Sequence, residues 1–84
     1  MSIVYKYPLE QRTNMIDAKG NNPKVLFCGR DPNGQLCAWI EHDEDGFSVV
    51  EVSVVATGQW LDYEPKRHVN TIVDGAYVWH FYQS

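Results

Sequence analysis

The residues able to do chemistry are few, and they are scattered along the chain. The histidines are His42, His68 and His80. None has an i, i+4 or His-x-His partner, the spacings that set two imidazoles on one face of a helix or strand. A two-histidine metal site would need His68 and His80 brought together by folding, with Asp62 or Glu64 as a further ligand. Rim histidines that bond locally are the commoner arrangement. Cys28 and Cys37 fall inside apolar runs, where a thiol packs as a small hydrophobe, and two cysteines do not make a four-ligand zinc set. Asp43, Glu44 and Asp45 form the one acidic run, but a turn there leaves the carboxylates solvated. No serine sits in a nucleophile elbow. "KGNNPK" (19–24) offers two lysines and a glycine without the following helix that completes an anion site. No nucleophile, base and acid assemble, so the chain is read as a non-enzyme with no cofactor and no metal.

One segment is rich in recognition chemistry. "GQWLDYEPKRH" (58–68) combines Trp60, Tyr63, Lys66, Arg67 and His68. Exposed Trp, Tyr and Arg are typical anchors of protein interfaces, and the same groups stack on bases. Two readings stand for this connection: Trp60 and Leu61 folding back as a plug over one end of the fold, or a binding surface.

Strands must position these groups. "DPNG" (31–34), "DEDG" (43–46) and "VDGA" (73–76) are turn signals, the first two suited to a type I turn closed by a glycine bulge. Asp74-Gly75 reads as a two-residue hairpin turn. Between them lie β-branched and aromatic runs at 24–30, 35–42, 47–58, 69–73 and 76–82, with further strands expected at 2–7 and 13–18. No window carries helical periodicity. The fold class is therefore all-β: one domain over 1–84, a small antiparallel barrel or sandwich of six to seven strands linked mostly as hairpins.

Alternation assigns faces. Val50, Val52, Val54 and Ala56 share a side; Leu36, Ala38 and Ile40 oppose Cys37, Trp39 and Glu41. In the last strand Tyr77, Trp79 and Phe81 are expected inward, leaving His80 and Tyr82 at a rim or interface. A turn at Asp74-Gly75 pairs Val73 with Ala76, so Val69 faces His80. A three-residue loop at 32–34 pairs Arg30 with Leu36 and Cys28 with Ala38. The two thiols then point to opposite faces and no disulfide closes. Several strands are apolar on one face and half apolar on the other, more than one solvated sheet would hide. That pattern predicts a homo-oligomer or another protein covering the second face.

Bulk properties narrow the class. At 84 residues the chain buries only roughly 60–65% of its unfolded surface, which excludes a large enclosed active site. A net charge of −4 gives no basic footprint for nucleic acid and no long acidic row that would mimic it. No apolar stretch approaches the length of a membrane span. The opening residues lack a signal peptide's basic head and apolar run, so the cytoplasm is the expected compartment, with reduced thiols.

"YKYPLE" (5–10), "PNGQLCAWIEHD" (32–43), "VVATGQWLDYEP" (54–65) and "DGAYVWHFY" (74–82) occur in one order along nearly the whole chain. In this the sequence resembles a family of small bacteriophage and prophage proteins of unknown function. It departs from that pattern at Cys37-Ala38 and at Trp60. The resemblance implies a viral accessory protein in the host-cell cytoplasm and transfers no catalytic residue. The expected function is non-enzymatic binding and inhibition of a host protein or host defence component. The alternatives are an oligomeric sponge for a small nucleotide signal and a minor virion structural protein. Trp39, Trp60, Tyr63, Arg67, His68, His80 and Tyr82 are the residues expected to line the binding surface or interface.

Overall fold

Alternation between branched apolar and polar residues yields seven strands and no helix among the described residues. The structure, a computed structural model, describes residues 1–18, 20–43, 45–61 and 66–84. The strands are β1 (Ser2–Pro8), β2 (Thr13–Ala18), β3 (Lys24–Arg30), β4 (Leu36–Asp43), β5 (Ser48–Ala56), β6 (Arg67–Asp74) and β7 (Tyr77–Gln83). They form two antiparallel sheets, ordered β1-β4-β3 and β2-β5-β7-β6, packed face to face as a sandwich.

The core lies between the sheets. Val50, Val52 and Val54 of β5, Ala38 and Ile40 of β4, Val25 and Cys28 of β3, Ile16 of β2 and Phe81 of β7 fill it. Alternation accounts for β4, β5 and β7, whereas Val25 and Cys28 share the inner face because a bulge at Val25/Phe27 breaks the period of two. Phe81 is wholly buried and Trp79 packs beside it. Tyr77, expected inside, is 59% exposed at the strand's end, with its ring stacked on Trp79 at 5.3 Å.

Connections differ from a simple meander. β3–β4 and β6–β7 are tight hairpins, but β1 to β2, β2 to β3 and β4 to β5 each pass from one sheet to the other. The chain therefore changes sheet between β4 and β5, which lets Val50, Val52 and Val54 meet the core from the opposite side. The first hairpin has the expected register, Arg30 with Leu36 and Cys28 with Ala38, and both cysteines are free. The last hairpin is shifted by one residue at its turn. Asp74 stays in the ladder opposite Tyr77, and Gly75-Ala76 form the turn, with Gly75 at φ 60°. Thr71, and not Val69, consequently faces His80.

The two sides of the sandwich are built differently. Where β3 and β6 run side by side, side-chain amides replace the missing backbone ladder. Asn70 Oδ1 accepts from Cys28 N at 2.9 Å, and Asn70 Nδ2 donates to Cys28 O at 2.8 Å. Gln83 Oε1 accepts from Val25 N at 3.0 Å, and its Nε2 donates to Pro23 O at 3.2 Å. Arg67 Nη2 donates to Val25 O at 2.8 Å. Bulges at Val25/Phe27 and His68/Asn70 bend the two edges. On the opposite side lie the edges of β1 and β2.

Candidate functional site

The outward face of β5, β6 and β7 collects two of the three imidazoles, His68 and His80. Cross-strand pairing sets His68 beside Tyr82 and Thr71 beside His80. Thr71 Oγ1 lies 2.9 Å from His68 Nε2 and 3.0 Å from His80 Nδ1. Thr57 Oγ1 lies 2.7 Å from the other nitrogen of His80, Nε2. The Tyr82 ring meets His68 edge-on at 5.3 Å. A hydroxyl has one proton, so with both rings neutral Thr71 donates to one histidine and accepts from the other. The four residues thus form a single polarised row that runs in one direction or its reverse.

That row is exposed on the sheet's outer face. A hydroxyl 2.7 Å from an imidazole has the reach of a nucleophile and its base. Yet no described acid orients His80, since both its ring nitrogens end on threonines. Among the described residues no group of three or more His, Cys, Asp or Glu could hold a metal ion. Asp62 and Glu64, the acids considered as further ligands, lie outside the described residues. The thiols are also remote from this chemistry. Burial pushes the Cys28 thiol up to about 12 and also raises that of Cys37, so neither is a ready thiolate.

The described ends of the connection after β5, residues 57–61 and Lys66, lie against this face. Gln59 closes the turn, its Oε1 accepting from Ala56 N and its own N–H bonding Ala56 O, both at 3.0 Å. Arg12 donates through Nη2 to the Trp60 carbonyl. At the far end Lys66 meets Glu51 at 2.9 Å and Ser53 at 3.4 Å. Ser53 and Val55 face outward on β5 and are nevertheless buried. Leu61 is half-buried beside Val55, His80 and Tyr82. Trp60 is 89% exposed, so Leu61 alone fits the plug reading. Tyr63 lies outside the described residues.

Two expected site residues stand elsewhere. Arg67 belongs to the β3–β6 seam, where it holds Val25 O and Gln83 Oε1. Trp39 lies on the outer face of the other sheet, with Phe27 6.1 Å away. Phe27 in turn covers Gly29 so closely that a Cβ there would sit 2.6 Å from its ring.

Three constellations had no sequence signal. His42 is buried, 5.4 Å from the Tyr5 ring and 3.5 Å from the Tyr7 hydroxyl. Trp79 Nε1 donates to Asp74 Oδ2 at 2.9 Å, while Arg30 pairs with the same carboxylate at 2.6 Å. The guanidinium, and then the indole N–H, hold the Asp74 carboxyl below its usual range. The fixed indole walls a cleft of about 280 Å³ at one end of the sandwich, with Leu9, Leu36 and Val54, rimmed by Glu10, Arg12 and Gln59.

The family described as "Domain of unknown function (DUF7352)" matches residues 1–84. No curated protein and no solved structure matches the chain.

Proposed function

We propose that this chain, which belongs to the DUF7352 family, is a non-catalytic binding protein that acts on a host protein by occupancy, as a phage accessory factor would. The observation that carries the reading is Trp60. Its side chain is 89% exposed while Arg12 holds its carbonyl and Gln59 fixes the preceding turn. An indole presented on an anchored segment loses little freedom on contact, which is what an interface anchor requires. The His68–Thr71–His80–Thr57 row and Tyr82 supply donors and acceptors on the same sheet face.

A photo-crosslinker at position 60, with position 33 in the "DPNG" turn as the control, tests this in bacterial lysate. The expected result is one protein crosslinked in near-stoichiometric yield from position 60 alone, competed away by unlabelled parent but not by Trp60→Ala. Identical profiles from both positions would contradict it.

The cleft beside Trp79 supports a second reading, a small-nucleotide sponge. A base of about ten heavy atoms would stack on the indole, with Arg12 and Gln59 at the rim. Quenching of Trp79 fluorescence by mononucleotides, absent in Trp79→Phe, would favour it; no change at saturating nucleotide would end it.

A further inference from the structure

We propose that a second copy of this chain pairs antiparallel with the free edge of β1 about a two-fold axis at Val4, joining two three-stranded sheets into one continuous sheet. The backbone phase of β1 fixes which groups are available. Leu9 N bonds Leu36 O, and the ladder continues as Tyr7 with Ala38 and Tyr5 with Ile40. Odd positions therefore bond β4, and Ser2, Val4 and Lys6 aim their N–H and C=O groups away from the sheet. No described residue bonds those outward N–H groups. Such an edge is a template for another strand.

Side chains argue for pairing and for the identity of the partner. Ile3, Val4 and Tyr5 are 40%, 46% and 47% exposed, so both faces of the strand carry uncovered apolar surface. On the neighbouring edge, β2 alternates strictly and exposes one large apolar side chain, Met15. A strand running 2–8 against itself about Val4 places Ile3 across from the partner's Tyr5 and Lys6 across from the partner's Ser2. Ser2 Oγ donates to Glu41 Oε2 at 3.3 Å. Lys6 therefore arrives beside a carboxylate of the other copy, and the two-fold axis repeats the contact. Lys6 pairs with Asp31 of its own chain at 2.8 Å, across β4 from the free edge, so docking requires its flexible ammonium to exchange that carboxylate for the partner's or to share it. The charge match is reciprocal, which is the requirement for an isologous interface.

Sedimentation over a concentration series into the high-micromolar range reads the assembly directly. The parent is expected to be a dimer. Val4→Pro removes an outward N–H and leaves the β4 ladder intact, a change tolerated on an edge. It should sediment as a monomer with an unchanged far-ultraviolet spectrum. Lys6→Glu should weaken the dimer roughly tenfold through two repelling contacts, and Lys6→Glu with Glu41→Lys should restore it. These charge variants decide the question if the proline variant does not fold. Trp60→Ala should remain dimeric, which separates this contact from the proposed host-binding surface. A parent that is monomeric throughout, a dimer that survives Val4→Pro, or a charge swap without restoration would overturn the proposal.

Discussion

The two sides of this sandwich solve the problem of the exposed strand edge in opposite ways. At the β3–β6 side, Asn70, Gln83 and Arg67 bond the edge of β3 with side-chain amides and a guanidinium. At the β1–β2 side, Ser2, Val4 and Lys6 turn their backbone groups outward beside uncovered Ile3, Val4 and Tyr5. Closing an edge with side chains spends polar residues on stability. Leaving one open would keep a surface for the pairing proposed above. The same division separates Trp79, fixed by Asp74 and packed on the core, from Trp60, fixed only through its backbone and presented to solvent.

Substitutions can break or sharpen that contrast. Trp79→Ala should have the largest effect, a loss of about 3–5 kcal/mol in denaturant unfolding, because a packed ring leaves a cavity beside Phe81. A melting midpoint equal to the parent's would refute its core role. Asn70→Ala follows, with about 3 kcal/mol lost, because the N–H and C=O of Cys28 both lose their partner. Asn70→Asp should lose at least as much at neutral pH, since the carboxylate oxygen that replaces Nδ2 then faces Cys28 O and repels it. Acid should loosen the same side of the molecule. Asp74 has a depressed carboxyl, so its contribution is complete above the ordinary carboxylate range and fades as pH falls through its lower folded value. Asp74→Asn should flatten that acid limb of the melting curve. Smallest is Trp60→Ala, within about 0.5 kcal/mol of the parent in stability. Its effect should appear only in partner capture.

The strands were legible because β-branched and aromatic runs are bounded by Gly-containing turns, and their side chains alternate with period two. Arg30 pairs with Leu36 and Cys28 with Ala38 as the "DPNG" turn dictates. Asp74-Gly75 misled because the Asp74 carboxylate is engaged by Arg30 and Trp79, which keeps the residue in the strand and moves the turn onward. That one-residue shift replaced Val69 by Thr71 opposite His80 and created the hydroxyl–imidazole row. The sheet crossing between β4 and β5 was hidden because a corner and a hairpin use the same turn residues. Asn70 and Gln83 gave no signal at all. A polar residue within a strand reads as solvent-facing, and only the partner strand reveals that its amide substitutes for a ladder. Arg67, expected at the binding surface, bonds Val25 O in the closed seam, and Trp60 is exposed.

Residue-resolved amide hydrogen exchange in dilute and concentrated protein tests the contrast between the two edges most directly. The amides of Val25 and Cys28 should be strongly protected at both concentrations, while those of Val4 and Lys6 should exchange freely when dilute and become protected when concentrated. Fast exchange at Cys28, or concentration-independent protection at Val4, would contradict the division of this molecule into a stitched side and an adhesive one.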